Sequence, residues 1–598
     1  MRLFSLAHIG LLIQASAALK CKCVPGDSCW PAESEWDTLN STISGRLIKT
    51  VLPASVCYKS DTNYDETQCE IVQANWALNG FHSNNPASIH SPQWANNSCN
   101  AIYSNGTSLT GDTLAGSRGC TIGRYPPYVV NATEASHVQA AVRFVHKHNI
   151  RLNVKNTGHN GAGSVWTHHL RGFKLDKKWV PTCRDSKPCK HSKPQMAATI
   201  GAGMQDIDLF DAAATEGAAV VGGTNQNVGF MGWATAGGHG WLTSEFGQGA
   251  DNILEASIVT PSGDLVTANE HQHSDLFWAI RGGGGGTFGV IVEATIQAYP
   301  MPQATVWTID VSTKNTSCTA CWYRFVAELH AYLPELKKGG FQGNYVLGGP
   351  PSYENLTFYG LFFLYNKPNG TAERLIQPFI SHLEAANETT EFTSNIIWAP
   401  SWISVYKKFP DLGSSAATGG GATTSRLLSA KALTKDVDAL AQTLEIIGPS
   451  AEGPQVWKPS PPLLSNGFSN PSISGSMAIS SVKVNSALNP VWRDTVVHMA
   501  VSSGWKDNMP YQQAERAVDD MTNVKGAALR RLEPNGGAYM NEADPYEPDW
   551  QKSFFGKNYK RLRSIKEKYD PDSLQWCMRC VGSESWFEQP DGKLCKAV

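Results

Sequence analysis

The chain has 598 residues, more than one hydrophobic core usually supports, so two or more domains are expected. Its composition is that of a globular protein, 41% apolar and 17% charged. Fifty basic against 52 acidic residues leave a net charge of −2, and without a basic run or an aromatic RNA-binding signature nothing argues for nucleic acid as a partner.

The N-terminus carries Arg2, a short apolar run, then Ala15-Ser16-Ala17, the layout of a secretory signal peptide over residues 1–18 with cleavage after Ala17 or Ala18. That run is too short to span a bilayer comfortably and no other reaches 18 apolar residues, so no membrane is expected as a partner. Residues 19–123 form a Cys-rich segment with Cys21, Cys23, Cys29, Cys57, Cys69 and Cys99. The full count of 14 cysteines is even and predicts disulfides in an oxidising compartment, with connectivity left open. Cys318-x-x-Cys321 and Cys577-x-x-Cys580 lie too far apart in an exported chain to favour zinc, and no metal is expected. Eight N-x-[ST] sequons, at Asn40, Asn96, Asn105, Asn131, Asn315, Asn355, Asn369 and Asn387, fit a secreted, extracellular glycoprotein.

A more regular region spans 124–303. In NATEASHVQAAVRFVHKHNI, Val138, Ala141, Val142 and Val145 make one helical stripe, with Thr133 as the expected N-cap and Asn149 as a left-handed stop. A strand, RLNVKN, then delivers the chain to VKNTGHNGAGS, where His159 stands among small residues. Small residues let backbone approach a ligand closely, so that histidine is either an ordinary turn residue or a group the ligand requires. Glycine becomes dense in GGTNQNVGFMGWATAGGHG and RGGGGGTFG, with strands ILEASIVT, DLVTA and TFGVIVEATIQAY between and after. No G-x-G-x-x-G opens a helix in a βαβ unit, which excludes a Rossmann site. His168-His169 read as a surface or packing pair, since adjacent side chains diverge.

From 304 to 515 the strands TVWTIDV, GNYVLGG, NLTFYGLFFLY and SMAISSVKV alternate with helices CWYRFVAELHAYL and DVDALAQTLEII, as in a second α+β domain with an antiparallel sheet. GGGATTSRL reads as a flexible loop within it. In the closing stretch, 516–598, Phe555, Tyr559, Leu562 and Ile565 share one helical face that stops at Pro571.

These motifs together resemble the berberine-bridge-enzyme-like branch of the vanillyl-alcohol-oxidase flavoproteins. The likeness is strong over 124–303, moderate over 535–575 and weak in the middle domain. It implies an α+β fold: a two-part FAD-binding domain of the p-cresol methylhydroxylase type, completed by a C-terminal return, plus the 304–515 substrate domain. In the family the loop histidine bonds the flavin 8-methyl carbon, so the resemblance implies FAD attached through His159, with Asn156, Thr157, Gly158, Asn160 and Ser164 around the pyrophosphate. Further cofactor contacts are implied at Gly223, Thr224, Gly229, Gly232 and Gly237, and at Asn252 and Val292. Some members carry a second, cysteinyl tether; here that region holds Met231 and no cysteine, so a single attachment is implied and His239 reads as a structural histidine at the flavin wall. The family's catalytic tyrosine segment corresponds to Tyr539, Asn541 and Glu542, with Glu542 where a second tyrosine is usual. The implied activity is oxidation of a hydroxyl-bearing or related small molecule by hydride transfer to FAD, with O₂ as acceptor and H₂O₂ as product. The alternatives are a dehydrogenase with another acceptor and a non-catalytic glycoprotein that keeps the flavin fold. Substrate identity and oligomeric state are not legible.

Overall fold

The structure, a computed structural model, describes residues 20–597 apart from 160, 162, 184–186, 190–191, 315–317, 410–418, 457–462, 465–467 and 591. The signal-like segment, Asn160 and the Asn315 sequon therefore lie outside the described residues.

The first domain rests on two sheets. In one, Tyr128–Asn131 and Val154–Lys155 each run parallel to Val165–Trp166, and Leu47–Lys49 closes the other edge antiparallel. The second is antiparallel, in the order Leu265–Ala268, Ile253–Val259, Val290–Gln297, Gln195–Gly201, Phe173–Trp179. The helix Ala135–Lys147 packs between them and buries Val138, Ala141, Val142 and Val145, the stripe its spacing predicts, and Asn149 follows at φ 52°. Its N-cap position is Glu134 rather than Thr133, whose hydroxyl turns instead to His137 Nδ1 at 3.4 Å.

The second domain is a seven-stranded antiparallel sheet, ordered Thr390–Ala399, Ala304–Thr313, Thr357–Tyr365, Gln342–Gly348, Ser472–Ser476, Thr495–Trp505, Gly420–Ser429. Both faces are buried, which the period of two makes visible. Trp307, Ile309, Phe358 and Phe362 face helices Thr319–Lys338, Thr371–Ala385 and Val437–Ile447, while Val306, Leu361, Phe363 and Tyr365 face the first domain. The helical run from Tyr511 to Leu532 buries Met521, Ala528 and Leu529 in this same core, so the domain extends past 515. From Ala538 onward the chain rejoins the first core through Trp550, Phe555, Leu562 and Ile565.

Three sequence expectations give way here. GGGATTSRL is not a loop but the start of the edge strand Gly420–Ser429, because Gly420 packs against Trp505, where a Cβ would come within 2.2 Å of Nε1. SMAISSVKV leaves the sheet after Ser476, drawn to the first domain where the Ser480 N–H donates to Gln248 Oε1 at 2.7 Å. The closing helix is two, Trp550–Phe555 and Tyr559–Tyr569, broken at Gly556 with φ 56°.

All 14 cysteines pair: Cys21–Cys595, Cys23–Cys29, Cys57–Cys69, Cys99–Cys120, Cys183–Cys189, Cys318–Cys321 and Cys577–Cys580. Both C-x-x-C pairs close on themselves, which removes the zinc reading. The Cys-rich segment has its own small core around Tyr58, Trp76 and Ile89. It also covers the edge strand: Gln93 Oε1 accepts from the Gly421 N–H at 2.6 Å and Asn97 Nδ2 donates to Gly419 O at 2.7 Å, shielding an edge that would otherwise invite pairing. No helix among the described residues is long and apolar enough to cross a membrane.

Candidate active site

The loop after Val154–Lys155 is shaped by what lies beneath it. Gly158, at φ 86°, leaves no room for a side chain, since a Cβ would lie 2.8 Å from Lys155 Cε and 3.0 Å from Ser88 O. Asn156 Nδ2 donates to the carbonyls of Ala202 (3.2 Å) and Met204 (3.3 Å), and its Oδ1 pairs with His168 Nδ1 at 3.3 Å. Gly229 abuts that carboxamide, so Asn156 and Gly229 pin the loop to the neighbouring strand end. Thr157 is buried, and the Ser164 carbonyl accepts from the Val130 N–H at 2.9 Å. His168 is buried and His169 exposed, each on a different asparagine, as adjacent side chains should be.

His159 is the unsatisfied group. Its Nε2 is sealed from solvent with no hydrogen-bond partner among the described residues, while the ring's other nitrogen meets the backbone of Asn227. Burial lowers the imidazole to about 4, so at neutral pH the ring carries a free lone pair. A buried nitrogen left unpaired is costly unless something else occupies its direction.

The glycines sort into two kinds. Gly237 lies against Leu488, and Gly240 lies against Gly222, where a Cβ would sit 1.8 Å from the carbonyl oxygen. The Gly223 N–H donates to Asp206 Oδ2 at 2.8 Å, and Thr224 beside it is half-buried. Burial pushes the Asp206 carboxyl well up, and its Oδ1 has no hydrogen-bond partner among the described residues. Gly232 and Gly286, by contrast, face open space with nothing within 4 Å of a Cβ, and Gly285 packs between, its Cβ direction 3.3 Å from Thr235 Oγ1 and 3.4 Å from Gly232 Cα. This is a cradle that side chains would fill. Asn252 is buried with both side-chain polar atoms used: Nδ2 donates to the carbonyls of Phe246, Gly247 and Gln248, and Oδ1 accepts from Tyr299 at 2.7 Å. The Val292 carbonyl accepts from the Ala202 N–H at 3.0 Å.

The C-terminal return brings Tyr539, Asn541 and Glu542 to this cradle. Asn541 Nδ2 donates to Gly232 O (3.3 Å) and to the Tyr539 hydroxyl (2.9 Å), which itself donates to Trp233 O at 3.5 Å. Tyr539 is fully buried, and burial, then the charge of Glu542, push its phenol well above the usual range. Glu542 Oε1 lies 3.2 Å from His239 Nε2 and Oε2 lies 3.6 Å from His498 Nδ1, while His239 Nδ1 pairs with Ser476 Oγ at 3.3 Å. Ser476 and His498 are opposed partners on adjacent strands of the seven-stranded sheet. The Glu542 side chain keeps 43% of its surface open, although His239, His498 and Tyr539 beside it are buried. Burial alone would raise its carboxyl, but the charge and hydrogen bond of His239, with His498 beyond, outweigh it and hold it at about 2.

His239, His498 and Glu542 also bring three donor atoms within 4.8 Å of one another. Only His239 is hydrogen-bonded to Glu542; His498 stands at ion-pair distance, and its Nε2 is buried without a partner among the described residues, where a metal-bound imidazole almost always has an acceptor. Sequence reasoning missed Ser476 and His498, which carry no local signal: each is a strand residue far from Glu542 in the chain. His239 was legible as a wall residue, its bond to Glu542 was not.

Residues 126–269 match the model of an FAD binding domain, and residues 538–577 that of berberine and berberine-like proteins. The chain is 32% identical to the FAD-linked oxidoreductase patO of Aspergillus clavatus, covering 97% of this chain and 95% of that one. It is 32% identical to the VAO-type flavoprotein oxidase VAO615 of Thermothelomyces thermophilus, with 97% of each covered. The crystal structure of the VAO-type flavoprotein MtVAO713 from Myceliophthora thermophila C1 superposes with a TM-score of 0.85 at 30% identity, covering 97% of this chain and 100% of that one. The open cradle at Gly232 and Gly286 and the unpaired His159 Nε2 fit a flat, buried cofactor, and the chain belongs to the berberine-bridge-enzyme-like FAD-linked oxidoreductases of the vanillyl-alcohol-oxidase superfamily.

Proposed function

We propose that the protein is a secreted, glycosylated oxidase that removes a hydride from a hydroxyl-bearing or related small molecule, with FAD bound covalently at His159 alone and O₂ as the final acceptor. The observation that carries the reaction is the Glu542 carboxylate, flanked by two histidines yet with 43% of its side-chain surface open. FAD, when bound, supplies the hydride acceptor and returns its electrons to O₂.

The chain's own residues do the rest. Glu542, ionised throughout the physiological range, takes the substrate hydroxyl proton, while His239 and His498 fix the carboxylate's direction. Tyr539 keeps its proton and points it at Trp233 O, which makes it an orienting wall, not the base. Asn541 ties that tyrosine to Gly232 at the cradle floor. Oxidase rather than dehydrogenase is favoured by the relative named a VAO-type flavoprotein oxidase. Single attachment is favoured because, among the described residues of the loop, the one buried nitrogen without a partner is His159 Nε2, and every cysteine is paired. Export is favoured by the signal-like N-terminus, the seven disulfides, and the exposed sequons at Asn96, Asn105, Asn369 and Asn387.

The test is a panel of primary and secondary alcohols offered to the purified yellow protein in air. Stoichiometric peroxide supports the oxidase reading. Flavin bleaching without peroxide, relieved only by an artificial electron acceptor, would replace it with the dehydrogenase reading.

A further inference from the structure

We propose that His90, from the disulfide-tied N-terminal segment, is the positioning residue that holds the His159 ring for its bond to the cofactor; this rests on the attachment reading above. The stretch 79–90 lies outside the matched FAD-binding region, which begins at 126, yet it forms the floor under the loop. Lys155 reaches down from the strand to the carbonyls of His82 (3.2 Å) and Asn85 (2.7 Å), and Asn84 Oδ1 pairs with His168 Nε2 at 3.1 Å. The His90 N–H donates to Gly158 O at 3.1 Å, one residue before His159. Its ring meets the Thr157 backbone on one side and Ser83 Oγ at 3.4 Å on the other. The ring centroids of His90 and His159 are 3.9 Å apart. His90 is 5% exposed and cannot swing away, and the floor is tied on either side by Cys57–Cys69 and Cys99–Cys120.

An imidazole on its short stem has several rotamers, and only one aims a given nitrogen at the cradle. Here one nitrogen is tied to Asn227, one face is closed by His90, and Nε2 is what remains. The net attachment reaction joins a His159 ring nitrogen to the cofactor's 8-methyl carbon. It releases one C–H and one N–H hydrogen and moves two electrons through the cofactor to O₂, giving H₂O₂. His90 takes no proton in this account; it keeps the nucleophile aligned, and losing that alignment costs about 10²-fold in rate.

The experiment uses full-length protein produced in riboflavin-starved cells, given FAD in air and sampled over time. Covalent flavin is read by in-gel fluorescence of the denatured chain and by intact mass, and folding by the melting temperature. His90→Ala should take up FAD but attach it about 10²-fold more slowly, and His90→Phe, which restores a flat ring against His159, should recover most of the rate. Attachment in His90→Ala at the wild-type rate would overturn the proposal, as would His90→Phe that folds yet attaches as slowly as the alanine variant. Should His90→Ala melt early, the phenylalanine variant alone decides. A wild type that releases its flavin on denaturation sinks the attachment reading itself, a separate outcome.

Discussion

Glu542 meets two imidazoles: Oε1 lies 3.2 Å from His239 Nε2, whose opposite nitrogen lies 3.3 Å from Ser476 Oγ, and Oε2 lies 3.6 Å from His498 Nδ1. The carboxylate is thus oriented from outside its own segment. Replacing Glu542 with Gln keeps the shape and removes the proton acceptor. Anaerobic flavin reduction by a verified substrate should slow about 10²–10⁴-fold, with the flavin still attached. Tyr539→Phe removes two neutral hydrogen bonds, from Asn541 and to Trp233 O, and should stay within about tenfold of wild type. Stopped-flow absorbance measures both, and the reverse ranking would make the tyrosine the base.

Loss of His159 should separate attachment from binding. In the wild type, acid precipitation should leave the yellow colour with the pellet. In His159→Ala, any flavin still bound should pass to the supernatant, with the intact mass lowered accordingly. Colour retained in the variant's pellet would point to another tether, which the fully paired cysteines argue against.

Gly232 and Gly240 make opposite predictions although they stand eight positions apart. A side chain at Gly232 meets nothing, so Gly232→Val should leave the melting temperature of flavin-free protein near wild type while flavin loading falls. At Gly240 a methyl would sit 1.8 Å from Gly222 O, so Gly240→Ala should destabilise the fold itself, by roughly 1–3 kcal/mol or more. Differential scanning fluorimetry with and without FAD checks the pair.

Acid should weaken the fold in a defined window. Burial lowers His82, His330 and His498 from 6.5 to about 4 in the folded protein. Between those values the unfolded chain binds protons that the folded chain refuses, so stability falls as pH drops from about 6.5 to about 4, by roughly 1–3 kcal/mol per ring. Glu542 acts in the same sense lower down, its contribution being lost as pH falls through about 2. Asp206, raised by burial, acts the other way. A melting temperature unchanged from pH 7 to pH 4 would contradict the buried neutral histidines.

The loop, the helix before it and the glycine-rich stretches were legible because each is local: a 3.6-residue stripe, or small residues gathered where backbone must come close. Even there the pattern overreached. Phe555, Tyr559, Leu562 and Ile565 do turn toward one core, yet the helix breaks at Gly556, and no apolar period can register a left-handed residue. GGGATTSRL looked like a loop because its glycines hide that Trp505 packs on them from a strand far along the chain. The proposed proton-accepting centre was half legible. Glu542 and Tyr539 stood in a recognisable segment, but which of them is ionised depends on His239 and His498, and that pairing is made only when the seven-stranded sheet closes on the first domain.

The bond between Cys21 and Cys595 makes the chain a covalent hoop. A single proteolytic nick anywhere between those two residues leaves one molecule, which should migrate as full-length without reductant and split into two with it. The same hoop couples the ends. Shortening the C-terminus past Cys595 strands Cys21 as a lone thiol, and tags joined directly at Lys20 and at Lys596 would sit side by side, since the Lys22 N–H donates to Leu594 O at 2.7 Å and the Lys596 N–H to Lys20 O at 2.9 Å.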